Sequence, residues 1–413
     1  MWEVNYKKIA LLAGFIILSI AIGWAIYALF FSSPKTEVAP IDQATSAGDN
    51  GLPEADTGYE PGIIGGQGGN LPTTDTLNQA VGETDKIAAG SITQVKTLTE
   101  DSVLAPSISK NGTNLFYYNK NDGKFYRVDK NGLITALSDK KFFDAQNVVW
   151  SKQNDKAIIE YPDGANIIYD FNTGKQVSLP KHWEDFDFSP AGDGIISKSI
   201  GLDEENRWLI VSNEDGSQAQ AIEPLGSNAD KVISSWSPNN LSIAMYTESI
   251  DFDRQRVYFI GQNKENFKTT TVEGHGFEPL WEPTGKQLVY SVYGTSSDLK
   301  PELWIVDAQG DEIGNNRQRL NLQTWASKCT FSGTTNLYCA VPKEIPSGAG
   351  IFPGLAESSS DVIYKINLTT GAKTLVAIPE EDININNLMA DNNESNIYFT
   401  NSATGNIHTI RLK

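Results

Sequence analysis

Two stretches decide the fold: Trp236-Ser237-Pro238-Asn239-Asn240-Leu241-Ser242-Ile243-Ala244 and Trp281-Glu282-Pro283-Thr284-Gly285-Lys286-Gln287-Leu288-Val289-Tyr290. In each, an aromatic residue closes one apolar run, a polar corner containing proline follows, and a second apolar run begins. Pro, Asn, Ser and Gly favour tight turns, so each stretch reads as two strands joined by a corner. Working outward, Trp150-Ser151-Lys152 and Phe188-Ser189-Pro190 repeat the pattern well. Ile108-Ser109-Lys110, Phe331-Ser332-Gly333 and Met389-Ala390-Asp391 repeat it more faintly. Steps between the corners are 42, 38, 48, 45, 50 and 58 residues. Periods of about 40–50 residues holding several short strands each point to a β-propeller.

A third strand follows each pair: Phe125–Asp129, Ile168–Phe171, Trp208–Val211, Val257–Ile260, Trp304–Asp307, Ile363–Ile366 and Ile407–Ile410. Six of these lead into a fourth, outer strand, as in Ile134–Ser138 or Lys373–Ile378; the seventh does not. Val95–Thr99 reads like Ile134–Ser138 but precedes the first corner. It is therefore expected to supply the outer strand of the last blade, tying the ends together and protecting sheet edges. The expected body is all-β, a seven-bladed β-propeller over residues 89–413, with six or eight blades also compatible with the fainter corners.

The WSPNNLSIAM and WEPTGKQLVY segments resemble the WD40-like repeats of the TolB-like propeller family. Gly274-His275 ahead of Trp281, and Tyr169-Asp170 ending a third strand, also resemble WD40 blades. The resemblance covers roughly residues 92–413. It implies the propeller fold and a role in an envelope complex, and it is silent on activity because such folds host many functions. The chain departs from TolB at its N-terminus, where TolB has a separate domain.

Ile9 to Phe31 runs 23 residues without a charge. As a helix it would extend about 35 Å, enough to cross a bilayer core of roughly 30 Å. Trp24 and Tyr27 lie near its outer end, where amphipathic rings favour the interface. Lys7 and Lys8 precede it, so the positive-inside bias puts residues 1–8 in the cytoplasm and the body outside, in the periplasm or on the cell surface. The expected lipid contact is the bilayer, through residues 9–31. Residues 32–88 read as a disordered tether. From Ser32 to Asp85 there are nine acidic residues, one lysine, nine glycines and five prolines, too little apolar surface to offset chain entropy.

Net charge is −18, from 33 Lys and Arg against 51 Asp and Glu, which argues against binding duplex nucleic acid through its phosphates. Two cysteines and three scattered histidines (His182, His275, His408) offer little for a metal centre, and no metal or cofactor is expected. No G-x-S-x-G elbow, H-E-x-x-H, phosphate loop or calcium loop occurs, so catalysis is not expected. His275 is expected to bond within its own blade and His408 to fill a strand. Cys329 and Cys339 flank the apparent hairpin CTFSGTTNLYC at opposed positions, compatible with a disulfide or with two buried thiols.

Binding residues are sought on loops, where a rigid scaffold leaves sequence free to vary. Four successive second-to-third strand loops read as long: Ser199–Asn206, Thr247–Arg256, Gly294–Glu302 and Pro342–Asp361. The last carries Ile345, Ile351, Phe352 and Leu355, apolar residues that favour a partner or a docking groove. Asp203, Glu204, Glu205, Asp251 and Asp253 make the neighbouring rim acidic and suited to steering a basic partner. The sequence thus points to a scaffold binding an envelope or membrane protein. The alternative is a carbohydrate or small-ligand binder, or an enzyme, using the central channel.

Overall fold

The computed structural model describes residues 84–413. The expected cytoplasmic N-terminus (1–8), the apolar helix 9–31 and the linker as far as residue 83 lie outside the described residues. Among the described residues no helix is long and apolar enough to cross a membrane.

The body is a seven-bladed, all-β propeller: seven sheets follow one another along the chain, each a meander of antiparallel strands. Their innermost strands are Val103–Ile108, Asn147–Trp150, Trp183–Phe188, Val232–Ser234, His275–Trp281, Cys329–Ser332 and Ile385–Ala390. Each sheet is covered on both faces by its neighbours, so the middle strands are apolar nearly throughout rather than alternating. Leu115–Asn119 is buried at every position, as is Lys156–Glu160 at its three central ones. The core accordingly lies between blades; Phe116, Tyr118, Phe125, Phe142, Trp150 and Tyr169 fill the gap between the first and second.

The corner residues act as the pattern requires. Ser151, Ser189 and Ser237 donate their hydroxyls to Asp155, Asp193 and Asn239 at 2.6, 2.7 and 2.7 Å, while each Oγ accepts backbone N–H groups across the turn. Two of the three corner tryptophans tie blades together: Trp150 Nε1 donates to Ala105 O of the preceding blade at 2.8 Å and Trp281 Nε1 to Ser235 Oγ at 3.1 Å, whereas Trp236 Nε1 donates to Asn240 Oδ1 within its own corner at 2.6 Å.

The ring closes as expected. Lys96–Thr97 pairs antiparallel with Ile407–Arg411, in register Lys96 to Thr409 and Thr97 to His408. Asn406 Nδ2 donates to Thr99 O at 2.9 Å, adding a second tie between the ends. One addition was not expected: Ile92–Thr93 pairs parallel with the outer strand Lys373–Pro379, giving the sixth sheet five strands. The attachment starts before residue 89, since Asp85 N donates to Ile92 O and Ala88 N to Arg411 O, both at 2.8 Å.

Inner strands of the first, third, fifth and seventh blades are each broken by a register shift. A residue with positive φ marks every break: Ala105 at 47°, Asp185 at 56°, Gly276 at 65° and Asn387 at 48°. Only Gly276 adopts such a backbone without steric cost, so the other three hold local strain beside the channel. Bulges of this kind bend a strand and re-aim its side chains.

Candidate binding face

Because strands alternate in direction, second-to-third strand loops and blade-to-blade connections emerge on one face. Its loops latch onto one another in sequence order. Asp253 Oδ1 accepts the N–H and hydroxyl of Thr295 at 2.8 and 2.7 Å, and these bonds hold its carboxyl below the usual range. His275 Nε2 lies 2.9 Å from Asp251 O, so this histidine bonds to the preceding blade and not within its own. Asp251 pairs with Arg254 at 2.6 Å, which lowers its carboxyl pKa. Further round, Gly350 N donates to Leu299 O at 2.8 Å and Ser347 Oγ to Asp298 Oδ1 at 2.8 Å. The long 343–360 segment therefore docks on the loop before it.

The stretch Thr247–Arg256, expected as a loop, is a corrected reading. Strands Ala244–Asp251 and Arg254–Ile260 run through it, leaving only Phe252 and Asp253 at the tip. Its alternating charges, paired as Glu248 opposite Arg256, belong to a solvent-facing ribbon. The other three stretches are loops, each with a short 3₁₀ turn: Glu204–Asn206, Thr295–Ser297 and Pro353–Ala356.

Despite this docking, apolar side chains project from the face. Phe352 is 65% exposed, and Ile351 and Leu355 are also exposed. Sequence reasoning missed three companions: Leu202, which is 99% exposed, Phe252 at 72%, and Ile250. Each lies inside a stretch read for its acids, so the signal was present in Gly-Leu-Asp and Asp-Phe-Asp but was subordinated to charge. Asp203, Glu204 and Glu205 are exposed beside Leu202, and Asp251 and Asp253 flank Phe252. The predicted acids, on the third and fourth blades, and the predicted apolar residues, on the sixth, thus belong to separate prominences on one face and do not converge on a single pocket.

Cys329 and Cys339 stand opposite each other on neighbouring strands, with Cα atoms 4.1 Å apart, and are joined as a disulfide. Both are buried in the sixth blade.

The central channel offers a cavity at each end. At the corner end, Pro106, Trp150, Pro190, Trp236, Pro279 and Trp281 help line a cavity of about 730 Å³. Asp187 bridges it, accepting from Lys152 Nζ at 2.8 Å and Trp236 N at 2.8 Å. At the loop end, over the fifth to seventh blades, a second cavity of about 730 Å³ is lined by Glu278, Trp325, Lys328, Glu357, Asn384 and Asn386 among others. Lys328 Nζ is 2.8 Å from Asp361 Oδ2 and 3.2 Å from Asn384 Oδ1. Burial pushes the Asp361 carboxyl up, against the pull of Lys328 and the Ile385 N–H. Among the described residues no three His, Cys, Asp or Glu side chains are grouped to hold a metal ion.

No family model matches this chain, and no curated protein matches its sequence. Solved structures do. The β-propeller domain of Cps50 (Swd1) from Myceliophteria thermophila is 10% identical, with a TM-score of 0.52, covering 77% of this chain and all of that one. Oligogalacturonate lyase from Vibrio parahaemolyticus is 10% identical, TM-score 0.50, covering 77% of this chain and 93% of its own. TolB from Acinetobacter baumannii is 12% identical over 66% of both chains, with a TM-score of 0.41. At these identities the likeness speaks of fold alone: this is a β-propeller protein.

Proposed function

We propose that this chain is a membrane-anchored propeller whose loop face docks a protein of the cell envelope. The observation that carries the reading is the distribution of exposed large apolar residues. Leu202, Phe252, Ile351, Phe352 and Leu355 lie on second-to-third strand connections of the third, fourth and sixth blades, and Ile250 lies on the ribbon strand that leads to Phe252. Leu133, Ile134 and Leu241 are exposed at turns of the opposite face, but the loop face carries more such groups and interleaves them with acids, the composition of a docking patch with a charged rim. The rim formed by Asp203, Glu204, Glu205, Asp251 and Asp253 favours a partner with basic residues around an apolar contact, and speeds its encounter at low salt. The apolar 9–31 segment behind Lys7 and Lys8 supports an anchor with the body outside, and the Cys329–Cys339 disulfide supports an oxidising compartment.

The test is crosslinking in intact membranes followed by purification of the full chain, comparing the wild type with Phe252→Ala/Phe352→Ala. Loss of one dominant crosslinked envelope protein, with the melting temperature unchanged, supports the reading. The same crosslinked species at the same yield overturns the face assignment, because truncated contact aromatics typically cost an interface more than about 1 kcal/mol each.

A further inference from the structure

We propose that the loop-end cavity of the channel is a saccharide-binding site, taking an uncharged sugar unit against Trp325. The proposal rests on how the cavity wall is built; the wall shares the Pro353–Ala356 turn with the docking face but uses none of its exposed apolar side chains.

Lys328 is nine-tenths buried, and its ammonium is held by Asp361 Oδ2 and Asn384 Oδ1. An ammonium has three N–H donors, and only these two have protein acceptors, so one remains on a side chain lining the cavity. The acceptors are themselves fixed. Asn384 Nδ2 donates to Ala356 O and Ser359 O at 3.1 and 2.9 Å, and Asp361 Oδ2 accepts the Ile385 N–H at 2.5 Å. Beside Lys328, on the adjacent fifth blade, Glu278 is held by Ser327 N and Ser291 Oγ, each 3.1 Å from one carboxylate oxygen. Asp361 Oδ1 is buried with no protein donor.

A buried ion pair is a poor way to stabilise a fold, since well-packed apolar residues in its place are often as good or better. Its worth here lies in presenting a rigid donor beside rigid acceptors. Asn386 adds an exposed carboxamide at the mouth, and Trp325 contributes an indole to the wall. Donors and acceptors of both kinds next to an aromatic plate suit a sugar, whose hydroxyls both donate and accept while its C–H face packs on a ring. The cavity's size is that of an ordinary small-ligand site. Charge selects the subclass. Lys328 and Asp361 cancel, leaving Glu278 and Glu357 to repel an acidic sugar. A cationic ligand is opposed by the free N–H of Lys328, and both oxygens of Glu278 already have donors.

The test titrates the full chain with neutral gluco-, manno- and galacto-oligosaccharides and with oligogalacturonate, reading heat and tryptophan fluorescence. Asn386→Ala and Trp325→Ala serve as site variants. Asn386 is exposed and its side chain makes no bond in the structure, so folding does not depend on it; the melting temperature is measured for each variant. The expected result is saturable binding of a neutral oligosaccharide, weakened about tenfold or more by Asn386→Ala at an unchanged melting temperature. No binding across the neutral panel overturns the proposal. So does binding insensitive to both variants, or binding confined to oligogalacturonate. Loss of envelope-protein crosslinking by the docking-face variants, with sugar binding intact, separates the two readings.

Discussion

Reduction of Cys329–Cys339 should loosen the sixth blade by an amount the chain itself fixes. The bond closes a loop with a sequence separation of 10 residues. In the chain-entropy description, opening such a loop returns about 2.7 kcal/mol of conformational freedom to the unfolded segment. The folded blade loses little in exchange, because Cys329 and Cys339 remain opposed in the ladder and buried. Hydrogen exchange is the suitable assay, since a seven-bladed ring need not unfold in one step and a single midpoint would average over blades. With reduction verified by intact mass, the amides of Leu337 to Ala340 should exchange about 100-fold faster, the factor corresponding to that free energy. Amides of the second blade, such as those of Ile158 and Ile159, should change far less. A hairpin whose protection falls by less than about threefold on verified reduction would refute the reasoning. It would mean that the pairing of Asn336–Pro342 with Asp361–Asn367 already holds the hairpin closed in the open state.

Two further outcomes follow from buried titratable groups. His408 is buried in the closing blade, stacked on Phe399 at 5.7 Å, and desolvation lowers its pKa below 6.5. The unfolded chain then binds the proton more readily, so stability is full above the unfolded pKa and falls as pH drops through 6.5 and below. A His408→Phe variant should flatten the decline in melting temperature between about pH 7 and 5. For the Lys328–Asp361 pair, Lys328→Met should destabilise by about 3–5 kcal/mol, because it leaves a buried carboxylate unpaired. Lys328→Met/Asp361→Leu should recover most of that in denaturant titration; a double variant no better than the single would refute the ion-pair account.

The propeller was legible because its corners use side chains with local jobs. Serine bridges the turn, proline shapes it, and Trp150 and Trp281 reach the preceding blade, so each leaves a mark in sequence at the period of the blade. The closing strand was legible because Lys96–Thr97 resembles the other outer strands in pattern. The Ile92–Thr93 addition was not, since two residues have no periodicity to read. The fourth blade's ribbon was misread because both faces of Ala244–Asp251 beyond Tyr246 meet solvent, and alternating charge is what a loop also shows. His275 was assigned to its own blade because sequence proximity cannot show which neighbour a strand's first side chain reaches. The loop-end cavity was invisible for a different reason. Glu278, Lys328, Asp361 and Asn384 come from three blades, and only the ring's curvature brings them together.

The attachment of the N-terminal segment also has a mechanical meaning. Any pull on the chain upstream of Thr84 enters the body through Ile92–Thr93 and Lys96–Thr97, two short ladders laid on the outer edges of the sixth and seventh blades. These strands bear load before any complete blade does, and losing them uncovers the edges of Lys373–Pro379 and Ile407–Arg411. The two short ladders are therefore the first part of the propeller to meet tension from upstream. A stretched molecule would open there, with its blades still folded and its loop face still formed.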